Sequence, residues 1–204
     1  MHWLICKERT EIILLLFIWA NAFEERKEII FLSSNEDNWM IRDIMEIRTA
    51  TIADLAQIAA MEAECFPAAE AATKEEFAER IKYYENHFWL MFEDEKLIAF
   101  VDGFVTDKPD LTDEMYERAE MHDENGAWQM IFGVNTIPAY RKHGYAGQLL
   151  QCAIEDARKQ GRKGLVLTCK EKLIAYYAKF GFENEGISES VHGNVTWYQM
   201  RYEF

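Results

Sequence analysis

Hydrophobic and polar positions follow regular periods from Met45 onward. Residues 46–50 predict a short strand, and the apolar positions that follow Thr51 recur at the spacing of one helix face. A second helix is predicted to begin at Thr73, because Glu76 completes the Thr-x-x-Glu pattern of a capping box. This part of the chain therefore predicts one strand followed by two helices.

The pattern then changes to that of a sheet. Residues 88–93 and 96–105 predict two antiparallel strands that join at Asp94 and Glu95, and residues 128–137 predict a further strand. Between them, residues 107–124 hold eight acidic side chains and only two basic ones. We predict a solvated surface excursion there, with a short helix in it, and an acceptor-binding lid is the alternative.

The last third of the chain predicts alternating helices and strands. An amphipathic helix begins at Tyr145, and a continuous apolar run at 165–168 predicts a buried parallel strand. A helix over 173–180 follows, and then two strands over 182–190 and 195–202. The resulting order, βααβββαβαββ, predicts an α+β fold with a mixed sheet.

Composition narrows the classes of function. The chain has 204 residues, of which 50% are hydrophobic, and this predicts one domain with a substantial core. The formal net charge of −14 argues against nucleic acid, whose phosphates need a basic surface. It favours cationic partners such as amines, although solubility alone also explains it. The four cysteines form no Cys-x-x-Cys pair, so we expect no metal site, no disulfide framework and a reducing, cytoplasmic location.

The first 44 residues do not continue the pattern. Their apolar run over 12–20 is nine residues long, whereas a membrane-spanning helix needs roughly 20. We therefore expect no membrane partner. We also expect residues 1–44 to be an extension outside the fold, with Met40 or Met45 as the natural start, and residues 45–204 to form the domain.

The loop that precedes the helix at Tyr145 carries candidate binding chemistry. Gly144 and the small residues after it leave backbone amides unobstructed at a helix N-terminus, where the helix also carries partial positive charge. The preceding tripeptide Arg141-Lys142-His143 suits a diphosphate. Neither a P-loop nor a Gly-x-Gly-x-x-Gly pattern is present at this loop.

The pattern Arg141-x-x-Gly144-x-Ala146 resembles the acyl-CoA signature of the GNAT N-acetyltransferases, whose loop amides bind the CoA pyrophosphate. Residues 165–182 resemble the second CoA-side strand and helix of that superfamily and include its Tyr-x-x-x-Gly-Phe pattern from Tyr177. The resemblance extends from about Met45 to the C-terminus and is strongest to the serotonin (arylalkylamine) N-acetyltransferases. It implies an α/β/α sandwich, with a mixed, mostly antiparallel sheet and helices on both faces.

The resemblance implies transfer of an acetyl group from acetyl-CoA to a primary amine by direct attack, with a small-molecule amine as partner and without a metal. It places the thioester against the strand at Val134. The cofactor-binding residues that it implies are Val134, Asn135, Thr136, Arg141, Lys142, His143, Gly144, Tyr145, Ala146 and Gly147. Tyr177 matches the proposed general acid for the departing CoA thiolate. A CoA-binding module without turnover, or an acetyltransferase for protein or peptide amines, stays open as an alternative.

The sequence departs from the family at the expected base. Animal arylalkylamine enzymes carry two histidines one residue apart on the acceptor-facing strand, and here Met130 and Phe132 stand at those positions. The proton of the amine must then leave through bulk water, a water chain, or a side chain such as Glu62, Glu64 or His192. For Cys152 and Cys169, which occupy apolar positions, we expect structural burial.

Overall fold

The computed structural model describes residues 27–28 and 45–204. They form one sheet of eight strands in the spatial order β1-β2-β3-β4-β5-β6-β8-β7. The strands are β1 (Lys27–Glu28), β2 (Met45–Thr49), β3 (Phe88–Glu93), β4 (Lys96–Thr106), β5 (Trp128–Thr136), β6 (Gly164–Cys169), β7 (Glu183–Ile187) and β8 (Tyr198–Glu203). The helices are α1 (Leu55–Cys65), α2 (Lys74–Tyr84), α3 (Asp113–Glu117), α4 (Tyr145–Lys159) and α5 (Ile174–Ala178).

Neighbouring strands are antiparallel except for β5 and β6, which run parallel. A parallel pair needs a crossover connection, and here α4 supplies it. The predicted α+β class with a mixed, mostly antiparallel sheet is confirmed.

Helices cover both faces of the sheet. Successive side chains of a strand point to opposite faces, and β3 demonstrates this. The ring of Phe88 lies 6.3 Å from that of Phe77 on α2, whereas the indole Nε1 of Trp89 donates to Asp156 on α4 over 2.9 Å. α1 packs beside α2, and α4 packs against β3 to β6. The predicted sandwich is therefore confirmed, with an apolar layer on each side of the sheet.

Local signals set several element ends, and the predicted capping box is one of them. At the start of α2, the Glu76 amide donates to Thr73 Oγ1 over 3.2 Å, and the Thr73 amide donates to Glu76 Oε2 over 2.6 Å. This reciprocal pair satisfies two amides that the helix itself leaves free. After α5, Gly181 adopts a φ of +96°, and this left-handed residue turns the chain into β7.

The prediction of a solvated excursion over 107–124 was wrong. The segment contains α3, its Met115 is fully buried, and the Tyr116 ring packs 4.7 Å from that of Phe132. The acidic residues of this segment surround a few apolar ones that face the core. The helix is too short for these apolar positions to show a clear hydrophobic period in the sequence.

The last two strands are shorter than predicted. β7 ends at Ile187 and β8 begins at Tyr198. Between them, Ser190 and Val191 donate hydrogen bonds to Asp113 of α3. These bonds hold residues 188–197 as a loop over α3 instead of extending the hairpin.

Two residues of the predicted N-terminal extension lie at the sheet edge, where Lys27 pairs with Ile47 and Glu28 with Glu46. The remainder of residues 1–44 falls outside the described residues, so the domain boundary and the natural start stay predictions. Within the described part of the chain, no helix has the length and apolar character needed to cross a bilayer.

Candidate active site

Strands β5 and β6 separate at the centre of the sheet. Their parallel pairing ends where Ile131 lies opposite Leu167, whereas β5 continues to Thr136. Beyond this point the two strands no longer hydrogen-bond to each other, and a cavity lies between them. The second half of β5 therefore has one unpaired edge, directed toward β6.

The backbone of Val134 faces this unpaired edge. The Gly133 amide donates to the Asp102 carboxylate on β4 over 3.0 Å. The Ile137 amide donates to the Ile98 carbonyl on the same strand over 3.1 Å. Because the amides of a strand alternate in direction, that of Val134 points the other way, toward the opening. An amide in this position can donate to a ligand carbonyl.

The loop between β5 and α4 exposes a series of free amides. The Gln148 amide donates to the Gly144 carbonyl over 3.1 Å and is the first to enter the ladder of α4. Among the described residues, we find no acceptor for the amides of residues 143–147. Unpaired amides at the N-terminus of a 15-residue helix form an anion site. The predicted phosphate loop thus offers free amides to an anion, and its binding of pyrophosphate stays a prediction.

Two glycines of this loop serve different purposes. Gly144 has a φ of +87°, and a Cβ added there would meet no atom within 4 Å. Its conformation, and the open space in front of it, suit the close approach of a ligand. Gly147 instead faces Phe180, whose Cζ would lie 2.8 Å from an added Cβ. A side chain at Gly147 would therefore displace the Phe180 ring, which packs on α4 just after the end of α5.

Polar side chains hold the loop in place. Arg141 Nε donates to the Thr136 carbonyl over 3.0 Å, which links the loop to the end of β5. The His143 ring stacks on that of Tyr145, with centroids 5.7 Å apart. Of the remaining predicted cofactor residues, Lys142 is exposed, Ala146 is half-buried and Asn135 is fully buried.

The cavity between the strands has a volume of about 390 Å³. β5 contributes Phe132 and Val134, and α1 contributes Glu62. Tyr177 of α5 lines the same space, and its position near the reacting sulfur stays a prediction. Tyr116 of α3 and His192 of the loop between β7 and β8 also line it.

Glu62 is a buried carboxylate in this cavity, with a side chain 6% exposed. Its Oε1 accepts from the Ala72 amide over 3.2 Å, and its Oε2 accepts from Asn135 Nδ2 over 3.0 Å. Burial, together with the nearby Asp102 carboxylate, raises the pKa of Glu62 to about 7. A carboxyl group with this pKa exchanges protons near neutrality, which is what a general base needs.

A buried ion pair lies beside Glu62. Arg80 Nη1 donates to Asp102 Oδ2 over 3.2 Å, and Arg80 Nη2 donates to the Tyr116 carbonyl over 3.0 Å. Asp102 in turn accepts from the Gly133 amide, and a Cβ on Gly133 would lie only 2.5 Å from Asp102 Oδ1. The ion pair therefore connects α2, β4 and β5 below the cavity.

Burial also raises the pKa values of Tyr177 and Cys169. Tyr177 is 6% exposed, and burial, followed by the influence of Cys169, raises the pKa of its phenol far above its usual range. The phenol stays protonated and can donate a hydrogen bond. Burial raises the pKa of the Cys169 thiol to about 11, so this thiol is a poor nucleophile despite lining the cavity.

The three side chains that the sequence offers as candidate bases differ in whether they line the cavity. Glu64 is exposed and lies outside the cavity lining, whereas Glu62 and His192 line it. The Nε2 of His192 must donate its hydrogen to the Glu70 carbonyl, 3.1 Å away, because a carbonyl only accepts. Of the two positions that carry histidine in the family, Phe132 lines the cavity, whereas Met130 is fully buried in the core.

Within the described residues, one group has the spacing of metal ligands: His87, His122 and Glu124. His122 Nδ1 accepts from the Val105 amide over 3.2 Å, so its Nε2 carries the hydrogen and donates to Glu124. Glu124 also pairs with Arg162 over 2.6 Å. This hydrogen-bond pattern accounts for the group as a structural network whose members do not line the cavity, and the expected absence of a metal stays a prediction.

One solved structure similar to this chain is the loading GNATL domain of CurA from Lyngbya majuscula, with a TM-score of 0.69 and 16% identity. The match covers 79% of this chain and 98% of that domain. A second is the GphF GNAT-like decarboxylase in complex with isobutyryl-CoA, with a TM-score of 0.67 and 21% identity over 77% of this chain and 98% of that chain. At these identities the likeness establishes the fold.

Sequence comparison identifies the family. Serotonin N-acetyltransferase from Mesocricetus auratus is 27% identical over 111 residues, which are 54% of this chain and 52% of that protein. The chain thus matches about half the length of this curated relative. The model of the acetyltransferase (GNAT) family matches residues 55–182, which include the β5–α4 loop, Glu62 and Tyr177. The chain therefore belongs to the GNAT acetyltransferase family.

Proposed function

We propose that this protein is an N-acetyltransferase that transfers the acetyl group of acetyl-CoA to a small primary amine by direct attack. The observation that carries this proposal is the position of Glu62. A carboxyl group with a pKa of about 7 lies in the same cavity as the unpaired edge of β5. A module that only binds CoA has no need of a base there.

The β5–α4 loop is proposed to bind the pyrophosphate of CoA through the free amides of residues 143–147. Arg141 and Lys142 add positive charge at the loop surface. The structurally similar GphF decarboxylase was solved with isobutyryl-CoA, which supports acyl-CoA as the ligand class. The Val134 amide faces the opening and would donate to the thioester carbonyl, where charge develops during attack.

Glu62 is proposed to accept the proton that an ammonium substrate must lose before it attacks. The amine nitrogen then bonds to the carbonyl carbon, and the carbon–sulfur bond breaks. Tyr177 is the proposed donor of a proton to the sulfur, and the second proton that leaves the nitrogen restores the phenol, so that the proton held by Glu62 is the one released. The products are the acetamide and free CoA, with one net proton released to solvent. Cys169 has no role in this scheme as a nucleophile.

The lining of the cavity supports an amine with a flat apolar body, such as an arylalkylamine. Phe132, Tyr116 and Trp197 all line it, and aromatic rings favour packing against one another. The relative with 27% identity is named for the N-acetylation of serotonin. The net charge of −14 also favours a cationic substrate.

The test is an acetyl-CoA turnover screen over aryl amines, polyamines and amino-terminal peptides, with thiol release as the readout. We expect release with at least one small primary amine. Calorimetric titration of the same preparation with acetyl-CoA provides the control. Tight binding without thiol release for any amine would identify the alternative, a CoA-binding module without turnover.

A further inference from the structure

Three segments at the rim of the cavity are tied to one another. Asp113, at the start of α3, accepts from Ser190 Oγ over 2.5 Å through Oδ1 and from the Val191 amide over 3.0 Å through Oδ2. His192 donates to the Glu70 carbonyl in the α1–α2 loop. Its ring stacks on Tyr116 of α3, with centroids 5.6 Å apart and an interplanar angle of 13°. We refer to these contacts, made by Asp113 and by His192, as the rim brace.

Further contacts stiffen the rim brace from outside. Trp197 Nε1 donates to the His192 carbonyl over 2.8 Å, which fixes the loop that carries His192. Lys170 Nζ binds the Glu70 carboxylate at 2.8 Å, which anchors the α1–α2 loop to the end of β6. Gly193 lies so close to this loop that an added Cβ would meet Glu70 Cγ at 2.6 Å. The three segments therefore form a continuous wall.

We propose that the rim brace limits the acceptor to a small free amine and excludes the extended end of a polypeptide, with Asp113 as the residue that sets this limit. The inference rests on the proposed acetyltransferase function. α3 lines the cavity with Asp113 and Tyr116, and the loop that is bonded to α3 lines it with Val191 and His192. A chain that leaves the cavity between them must break both hydrogen bonds of Asp113. A cavity of about 390 Å³ holds a small-molecule substrate without this disruption.

The charge of Asp113 makes these bonds difficult to replace. A carboxylate accepts two hydrogen bonds at once, and bonds to an ionised group are stronger than neutral ones. The partners come from residues 190 and 191, more than seventy positions away, so the contact closes the wall only in the folded protein. Asp113 is a specificity-determining residue in this proposal and does not take part in the transfer itself.

The test compares two acceptors with the same reacting amine: the best small amine of the screen, and the same compound extended by triglycine at its far end. The wild-type enzyme should prefer the short acceptor in kcat/KM by at least about tenfold. Asp113→Ala should raise the relative kcat/KM of the extended acceptor by about tenfold, the effect expected for the loss of charge-assisted hydrogen bonds. Glu114→Ala is the matched control, because it removes an exposed acid from the same turn of α3.

A second measurement reports on the rim brace without turnover. The Val191 amide should exchange its hydrogen with solvent about tenfold faster in Asp113→Ala than in Glu114→Ala, because its acceptor is lost. A wild-type enzyme that acetylates both acceptors equally overturns the size limit, and so does an Asp113→Ala variant with unchanged preference. A screen in which no amine is acetylated, while the Val191 amide exchanges faster in Asp113→Ala as expected, contradicts the proposed function instead.

Discussion

Asn135 Nδ2 donates to Glu62 Oε2 over 3.0 Å, and both side chains are buried. This bond holds the carboxylate of α1 against β5, next to the strand edge that faces the cavity. Asn135 leaves its own Oδ1 without a partner among the described residues. The hydrogen bond from Asn135 therefore orients the Glu62 carboxyl group and holds it at the cavity wall.

The first prediction concerns the pH dependence of turnover. A base with a pKa of about 7 must be ionised to accept a proton, so kcat/KM should rise with pH through about 7 before it levels. Glu62→Gln should lower kcat/KM by a factor on the order of 10² to 10⁴ and remove this inflection. The matched control is Glu64→Gln, an exposed position on the same helix. A Glu62→Gln enzyme with the wild-type pH–rate profile would contradict this role of Glu62. Water or His192 would then be the base that deprotonates the amine.

The second prediction concerns stability. The pKa of Glu62 rises from 4.5 to about 7 on folding, so between these pH values the folded state binds more protons than the unfolded state. The free energy of unfolding must therefore fall as pH rises through this window, by about 1.4 kcal/mol per pH unit and by about 3 kcal/mol in all. A glutamine does not titrate, so the Glu62→Gln protein should not show this loss of stability between the two pH values.

Urea unfolding at pH 5 and pH 8 measures the effect. The wild-type protein should lose more stability between these pH values than Glu62→Gln does, and Glu64→Gln should follow the wild type. The glutamine is expected to be accommodated, because the Asn135 amide can turn over and accept through its free Oδ1. Equal pH dependence in all three proteins would show that Glu62 titrates normally.

The third prediction concerns the CoA loop and uses a matched pair of glycines. Gly144 and Gly161 both have positive φ, +87° and +74°, and neither would place a Cβ within 4 Å of another atom. Valine at either position should cost about 1–2 kcal/mol of stability through backbone strain. Only Gly144→Val should also lower CoA affinity, by at least about tenfold, because its side chain would occupy the space in front of the loop. Calorimetric titration that gives equal CoA affinity for the two variants would falsify the loop assignment.

The fourth prediction concerns the departing thiolate. Tyr177→Phe keeps the ring and removes the proton, so kcat should fall while the Kd for acetyl-CoA stays close to that of the wild type. Tyr176→Phe is the control, because Tyr176 is the adjacent tyrosine, with its ring centroid 5.2 Å from that of Tyr177. Since burial moves the pKa of the Tyr177 phenol upward, we expect a hydrogen bond to the sulfur to account for much of its effect. Full kcat in Tyr177→Phe would exclude this residue from the mechanism.

Local patterns in the sequence were sufficient for the architecture. The capping box at Thr73, the hairpin at Asp94 and the left-handed Gly181 each depend on residues within a few positions of one another. The same holds for the loop at Gly144, whose conformation follows from a glycine before a helix. Patterns of this kind predicted the order of elements and the α+β class, because each is complete within a short stretch of chain. The family was indicated separately, by the resemblance of Arg141-x-x-Gly144-x-Ala146 and of residues 165–182 to its motifs.

Contacts between distant segments could not be predicted in this way. The sequence offered Glu62 and Glu64 as equivalent candidates, and only the packing of α1 against β5 separates the buried carboxylate from the exposed one. Asn135, which orients Glu62, is 73 positions away, and Asp113 reaches Ser190 across 77 positions. A pKa depends on burial and on nearby charges, and the tertiary structure alone determines both. The sequence by itself thus determined the fold and the local conformation of the loop that we propose binds the cofactor, whereas the candidate base and the rim brace arise only when remote segments meet.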